Sequence, residues 1–341
     1  MKKALITGGA GFVGSHLAER MIRGGYGVVV VDNFSNASVD NVDLLRALAQ
    51  DKGVPFTFHE TDVRDPRALG RAFDERDIES CFHLAAIVDV QYSMTHDQET
   101  SDVNIGGTKN TVLTALARGL CRIVNAGSAA EYGNAEILPI KEEHAREGVQ
   151  LSPYGRTKFE AEQLLLARPT KTRVVSVRPF NIFGPRQDPK SPYSGVISIF
   201  IDKAVAGEPL PINGDGGQTR DFIYVGDMVN AYLAAAGYDH TSQKITKVKG
   251  PFREASEPRV YNIGAGCSVS INQLARVVNE ICHNDAGVVY RDAKPGEIRH
   301  SVADISRAQQ HLGWFPTQTT GQALEGTVAY LGKHALEHVA D

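Results

Sequence analysis

The tightest constraint on this 341-residue chain lies within its first fourteen positions. Ala4–Thr7 reads as a short buried strand, Gly8-Gly9-Ala10-Gly11 as a turn, and Val13–Arg23 as an amphipathic helix. Gly8, Gly11 and Gly14 follow a GxxGxxG spacing. Glycines placed this way permit a tight turn and a close approach of backbone to a ligand, and the helix N-terminus behind them favours an anion. The pattern is a variant of the dinucleotide-binding fingerprint. A second apolar run, Gly27–Asp32, ends on an acid roughly 20 residues downstream, where an acceptor for ribose hydroxyls belongs. A carboxylate there repels a 2′-phosphate, so NAD is expected and not NADP.

Strand and helix patterns keep alternating beyond this point. Phe56–His59, Cys81–Ala85, Arg122–Ala126 and Arg173–Arg178 read as strands, and Arg67–Phe73, Val103–Ala117 and Ser152–Leu166 as helices. The order predicts an α/β fold, a Rossmann-type doubly wound parallel sheet with helices on both faces. Near Phe180 the texture changes. Pro185, Pro189, Pro192, Pro209 and Pro211 break the chain around one helix candidate, Val196–Ala206. Residues 1–180 are expected to form the dinucleotide-binding domain and 181–341 a smaller C-terminal α/β substrate domain, with some late segments returning to the first. Tyr238–Pro258 is polar and reads as an exposed loop.

Composition excludes several classes. Lys and Arg number 36 and Asp and Glu 40, a net charge of −4, which suits neither a general nucleic-acid binder nor a polybasic membrane binder. No apolar run approaches the roughly 18 residues of a spanning helix. The apolar start stops at Thr7-Gly8-Gly9, too soon for a signal peptide, so a cytoplasmic protein is expected. Cys81, Cys121, Cys267 and Cys282 form no CxxC pair and read as free, mostly buried thiols. No HExxH or paired histidine spacing occurs, no metal is expected, and Cys81-Phe82-His83 reads as buried strand. Arg118 and Arg122 read as solvated surface.

Two further features carry chemistry. Tyr154 and Lys158 are spaced i and i+4, on one helix face. An ammonium beside a phenol favours the phenolate and lowers its pKa from about 10 towards neutral, which makes the tyrosine a candidate general base. Ser128 lies just beyond a strand, at the carboxyl edge where ligands of parallel sheets bind. Its hydroxyl could share a proton with Tyr154, and a plain turn serine is the alternative. Asp62 ends the third strand and could hold an adenine edge or cap the next turn. The small residues of Leu84-Ala85-Ala86 would let chain pass beside a cofactor or simply pack closely.

Together these residues resemble the extended short-chain dehydrogenase/reductase superfamily, in its NAD-dependent epimerase/dehydratase branch. The likeness rests on the glycine turn, Asp32-Asn33-Phe34-Ser35-Asn36, Ser128-Ala129-Ala130-Glu131-Tyr132-Gly133 and Tyr154…Lys158. It continues through Arg178-Pro179-Phe180-Asn181, Gly184-Pro185-Arg186-Gln187, Asn213-Gly214-Asp215-Gly216, Thr219-Arg220-Asp221-Phe222, Tyr261-Asn262-Ile263-Gly264 and Pro295-Gly296-Glu297. Its nearest form is similar to the UDP-hexose 4-epimerases. The resemblance implies NAD held by Gly8, Gly11, Phe12, Val13, Gly14, Asp32, Asn33, Asn36, Asp62, Val63, Leu84, Ala85, Ala86, Asn104, Tyr154, Lys158 and Pro179. It implies a UDP-sugar against Ser128, Phe180, Asn181, Val196, Ile212, Asn213, Arg220, Lys294, Glu297 and Ser301. Lys294 stands where Arg is usual, which keeps the charge and loses the bidentate fork.

The implied reaction oxidises a UDP-hexose at C4 to a transient 4-keto sugar and reduces it on the other face, with Ser128, Tyr154 and Lys158 as the catalytic set. A 4,6-dehydratase, a decarboxylase, a 4-ketoreductase and a non-catalytic NAD-dependent sensor are the alternatives. Sugar dehydratases carry an Asp-Glu pair after the catalytic hydroxyl residue. Here Ala129 and Ala130 fill those slots, and Glu131, one place on, is expected to point elsewhere by strand-like alternation. Ser301 aligns with a gate beside the sugar 2-substituent and would leave room for an N-acetyl group. The resemblance also implies a homodimer through the helices at Val103–Ala117 and Ser152–Leu166.

Overall fold

The computed structural model describes residues 1–167, 172–189, 191, 195–248, 259–293 and 298–337. Short apolar runs pair as parallel strands wherever helices can cover both faces. In chain order the first half contains β1 (Lys3–Thr7), α1 (Phe12–Arg23), β2 (Gly27–Asp32), α2 (Val39–Lys52), β3 (Phe56–Glu60), α3 (Pro66–Phe73), β4 (Ile78–His83), α4 (Val90–Thr95), α5 (Asp97–Ser101), α6 (Thr108–Ala117), β5 (Arg122–Ala126), α7 (Pro153–Leu166) and β6 (Arg173–Pro179). Then follow β7 (Asn181–Phe183), α8 (Val196–Val205), β8 (Leu210–Asn213), β9 (Thr219–Arg220), β10 (Phe222–Tyr224), α9 (Val225–Ala235) and β11 (Val260–Ile263). The last are β12 (Val269–Ser270), α10 (Ile271–Cys282), β13 (Val288–Arg291), α11 (Ser306–Leu312) and α12 (Thr320–Glu337).

The main sheet has the order β11-β6-β5-β4-β1-β2-β3, and its pairings are parallel. This is the Rossmann-type α/β fold. Strand order reverses between β1 and β4, and ligands bind outside the carboxyl ends of strands at such a point. Alternate residues of each strand serve opposite faces. Ile6, Val30, Phe82, Val124 and Val175 join a core with α1 and α9, whereas Leu5, Val29, Cys81, Ile123 and Val174 join one with α3 and α6. A third cluster gathers Phe183, Phe200, Ile201, Leu210, Phe222 and Leu274 in the second half. Among the described residues no helix is long and apolar enough to cross a membrane.

Several expectations change. Helix α2 was not legible because only Val42, Leu45 and Ala49 of its fourteen residues are buried. Ser38 starts it by accepting the Asp40 N–H, and left-handed Gly53 ends it. The helix expected over Val103–Ala117 is wound as a π-helix over Asp102–Gly107 before α6, where Gly107 lies against Val63. Cys81 is buried, but Cys121 and Cys267 are exposed, so the thiols are not mostly buried.

The described part of the stretch expected as an exposed loop, 238–248, is mostly exposed but is anchored in the core at two residues, and residues 249–258 lie outside the described residues. Tyr238 and Ile245 are buried, Ile245 against Gly24. The Tyr238 hydroxyl donates to Glu79 Oε1 at 2.9 Å and lies 3.0 Å from Ser80 Oγ, and Lys247 pairs with Glu79 at 2.8 Å. Arg122 is buried rather than solvated, because its guanidinium stacks over the Tyr238 ring. Replacing Tyr238 with Phe removes the hydroxyl and keeps the ring. The Tyr238→Phe protein should lose about 1–2 kcal/mol of stability, read from the urea midpoint at unchanged m-value.

Candidate active site

The glycine turn joins β1 to α1 through contacts that leave no room for side chains. Gly8 has φ +67°, and a Cβ there would lie 2.7 Å from the Ala85 nitrogen. A Cβ on Gly14 would sit 2.0 Å from the Gly8 carbonyl oxygen. Gly11, just before α1, provides no side-chain cap, so the first N–H groups of the helix stay available to a ligand. Asp32, at the end of β2, is buried and accepts the N–H groups of Ala10 and Phe34 at 3.0 Å each. It thereby ties the glycine turn to the β2 loop. Burial pushes its pKa up, while those backbone donors pull it down.

Beside this turn opens a cleft of about 550 Å³. Gly11, Phe12, Val13, Asn36, Leu84, Ser128, Tyr154, Lys158, Pro179 and Phe180 line it, bringing together ten of the residues singled out from sequence. Others stand behind the wall. Asn104 is buried, exchanges hydrogen bonds with the backbone of Ile87 and donates to Thr157 Oγ1. Asp62 binds Arg64 at 2.7 Å and accepts from exposed Asn33 at 3.1 Å. Val63 packs on Gly107, and Ala85 and Ala86 follow Leu84 partly buried.

The chemical groups come from three elements. Ser128 caps a 3₁₀ turn, Ala129–Tyr132, just past β5. Tyr154 is in the first turn of α7, where its N–H donates to buried Ser93 Oγ at 3.1 Å. Gly155 lets α7 press onto that 3₁₀ turn, since a Cβ would meet the Ala130 oxygen at 2.5 Å. Lys158, one helical turn on, donates to the Ala126 carbonyl at 2.9 Å. Beneath it His83 bridges Thr7 and Thr108 at 2.7 and 2.8 Å. Burial and the Lys158 charge lower the His83 pKa to about 3, so the ring is neutral.

The expected lowering of the Tyr154 pKa does not come from these protein groups. Burial pushes the phenol up to about 12, the Ser128 hydroxyl pulls it down by hydrogen bonding, and Glu131 adds to the rise. Burial lowers Lys158 to about 8, with Glu131 opposing. Glu131 itself departs from the strand-like alternation expected of it. The chain winds into a helical turn after Ser128, so the Glu131 side chain folds back under it and is fully buried.

A second group of candidates surrounds Asp221. This buried carboxylate accepts N–H groups from Ala265 at 2.6 Å, Gly266 at 3.1 Å and Ala303 at 3.0 Å. It thus gathers Arg220 on β9, Asn181 on β7, whose N–H donates to the Asp221 carbonyl, and Ser301, whose N–H donates to Thr219. Burial pushes the Asp221 pKa up to about 6 against those donors. Ile212 and Asn213 end β8, with Ile212 in the core, and Val196 starts α8. Lys294 and Glu297 lie outside the described residues.

Sequence reasoning left Arg186, Gln187, Asp188, Phe34 and Tyr232 out of the site, and all five line the cleft. Arg186 and Gln187 lie within the Gly184-Pro185-Arg186-Gln187 motif that carries the family resemblance, and Asp188 follows it. Arg186 adopts φ +65° and binds Glu19 Oε2 at 2.5 Å and His16 Nδ1 at 2.7 Å. Burial and Arg186 lower His16 to about 4. Tyr232, buried on α9, carried no signal beyond helical periodicity.

The model of the NAD-dependent epimerase/dehydratase family matches residues 4–264. The chain belongs to this family. It is 30% identical over 331 residues to a UDP-glucose 4-epimerase of Mycolicibacterium smegmatis, covering 96% of this chain and 98% of that protein. It is 31% identical over 340 residues to a UDP-N-acetyl-alpha-D-glucosaminuronate decarboxylase of Bacillus cytotoxicus, covering 96% and 97%. The crystal structure of UDP-glucose 4-epimerase from Thermotoga maritima with UDP-glucose superposes with a TM-score of 0.85, at 31% identity, over 98% of this chain and 99% of that one. The family's cofactor, NAD, suits the cleft: the uncapped α1 N-terminus and the glycine-rich turn before it match a pyrophosphate.

Asp221 supports the second group through three N–H acceptances that an amide cannot reproduce. Asp221→Asn turns an NH₂ towards one of those donors. It should cost about 1–3 kcal/mol, seen as a lower thermal midpoint. An unchanged midpoint would show that the three N–H groups find other acceptors.

Proposed function

We propose that this protein is an NAD-dependent UDP-hexose 4-epimerase, working on UDP-glucose and UDP-galactose and admitting N-acetylated or uronic analogues. The observation that carries the reading is the meeting of Ser128, Tyr154 and Lys158 on one wall of a cleft that opens on the uncapped α1 N-terminus. Bound NAD supplies the acceptor and donor of a hydride at the sugar C4 and, through its cationic ring, a field that favours the Tyr154 phenolate. Tyr154 takes the proton of the 4-hydroxyl and later returns one, with the Ser128 hydroxyl bridging. Lys158, held by the Ala126 carbonyl one helical turn on from Tyr154, is proposed to hold the nicotinamide ribose. Arg220, Asn181 and Lys294 are proposed for the diphosphate, with Val196, Ile212, Asn213 and Glu297 about the uridine.

Ala129 and Ala130 cannot transfer protons, and Glu131 is buried beneath the cleft floor, which disfavours elimination of a 6-hydroxyl. The similarity to a decarboxylase keeps a uronic acid in the test. The reading also carries a cytoplasmic homodimer through α6 and α7, whose Leu113 and Leu164 are exposed.

The deciding experiment incubates the protein with a panel of UDP-sugars and no added cofactor, and follows the anomeric and C4 signals by NMR. A C4-inverted product is expected. Tyr154→Phe should cut turnover by about 10²–10⁴-fold while NAD binding persists. A 4-keto-6-deoxy product, or carbon dioxide from a uronic acid, would replace the epimerase reading.

Ser301 is buried, with its N–H donating to the Thr219 carbonyl, and its small side chain is proposed as the gate that admits a 2-substituent. Ser301→Tyr is expected to depress kcat/KM for UDP-N-acetylglucosamine by about tenfold or more relative to UDP-glucose. Parental rates on both sugars would remove Ser301 as the gate.

A further inference from the structure

Beneath the cleft floor lies a set of buried charges that the reaction as described does not use. Arg178 of β6 is 3% exposed, while Glu131 and Glu162 are fully buried. The Arg178 Nε lies 2.9 Å from Glu131 Oε2 and 3.2 Å from Glu162 Oε2, and its Nη2 donates to Glu162 Oε1. Its Nη1 donates to the Tyr132 hydroxyl at 2.9 Å and to the Glu142 carbonyl at 2.8 Å. Two carboxylates thus face one guanidinium. Lys158 is the other cation that acts electrostatically on Glu131.

Glu131 touches both this set and the cleft. Its Oε1 accepts the Ser128 backbone N–H at 2.8 Å, while Ser128 Oγ accepts the Ala130 N–H at 3.1 Å. This is a capping box whose acid lies inside the protein. Gly127 makes the space for it, since a Cβ there would stand 2.8 Å from Glu131 Oε1.

We infer that Glu131 is a positioning residue: wedged between the Ser128 N–H and the Arg178 guanidinium, its carboxyl group fixes Ser128 and, when ionised, places a negative charge under Lys158 and Tyr154. The inference rests on the proton-handling role proposed for those three residues. The groups that face Glu131 are Ser128 and Tyr132 of its own turn, Arg178 of β6, and Tyr154, Lys158 and Glu162 of α7, with Glu142 beyond Arg178. Burial and Glu162 raise the Glu131 pKa to about 8, outweighing the pull of Arg178, the Ser128 N–H and Lys158. When ionised it in turn raises the Lys158 pKa and opposes the Tyr154 phenolate.

Glu131→Gln and Glu131→Asp separate the two parts. The amide keeps length and loses charge, whereas the shorter acid keeps charge and cannot span from Ser128 to Arg178. Both should lower kcat for the epimerised UDP-sugar about ten- to a hundredfold with KM little changed. Only Glu131→Gln should lower the Lys158 pKa, by about half a unit or more. That titration is read by ¹³C-lysine NMR on the NAD-loaded protein, with the signal assigned by its loss in Lys158→Met. Parental kcat in Glu131→Gln, or a lower kcat with Lys158 titrating as in the parent, would overturn the inference. If no UDP-sugar turns over, the functional reading fails by itself. The Lys158 titration then decides the present inference, a fall supporting it and an unchanged value rejecting it. If Glu131→Gln does not fold, Gly127→Ala takes its place, pushing the carboxylate from Ser128 with its charge kept. It should lower kcat as Glu131→Asp does, and parental kcat would overturn the inference.

Discussion

One buried cation holds the cleft floor together. Arg178 gathers β6, α7, the turn after Ser128 and the segment at Glu142 in a single fan of donors. Through Tyr132, whose hydroxyl donates to Asn262 Oδ1, the fan reaches β11 at the sheet edge. The Arg178 guanidinium also lies over the Tyr132 ring, 5.0 Å from its centroid. Removing one partner from such a cluster costs about 3–5 kcal/mol, because a charge is left buried and unpaired. Its worth is therefore geometric: the elements bearing Ser128, Tyr154 and Lys158 cannot shift independently.

The electrostatics of the cleft follow from this platform. Burial raises the Tyr154 phenol and lowers the Lys158 ammonium, so the protein by itself works against the charged form of both. A tyrosine that serves as base must then draw on a positive charge brought by a ligand. On the proposed reading, that arrangement couples proton transfer to cofactor binding and leaves the phenol neutral otherwise. The neutral His83 beneath Lys158 adds no competing charge. Asp221 does for the second half what Arg178 does for the first, gathering three backbone N–H groups in one carboxylate.

Much of this was legible in the residues. Local periodicity located the six strands read from sequence within a few residues, because strands buried on both faces must be continuously apolar, as all six residues of β2 are. The Gly8, Gly11 and Gly14 spacing, Ser128 and the i, i+4 pair at Tyr154 and Lys158 carried the cleft wall. Other parts were silent for physical reasons. Helix α2 is mostly solvated and shows little stripe. Tyr232 looks like any core aromatic on an apolar helix, and Tyr238 and Arg122 owe their burial to each other.

Glu131 marks the boundary between the two kinds of information. Sequence alone determined the alternating α/β architecture, the glycine turn with its acid at Asp32, and the residues proposed to handle protons. These depend on side-chain size, periodicity and spacing, which are local. Tertiary structure decided where charges lie relative to one another. Whether Glu131 faces substrate or supports Ser128 depends on a turn that winds helically instead of extending, and on Arg178 and Glu162 arriving from strands and helices far along the chain. Such long-range electrostatic balance has no periodic signature, so only the folded chain displays it.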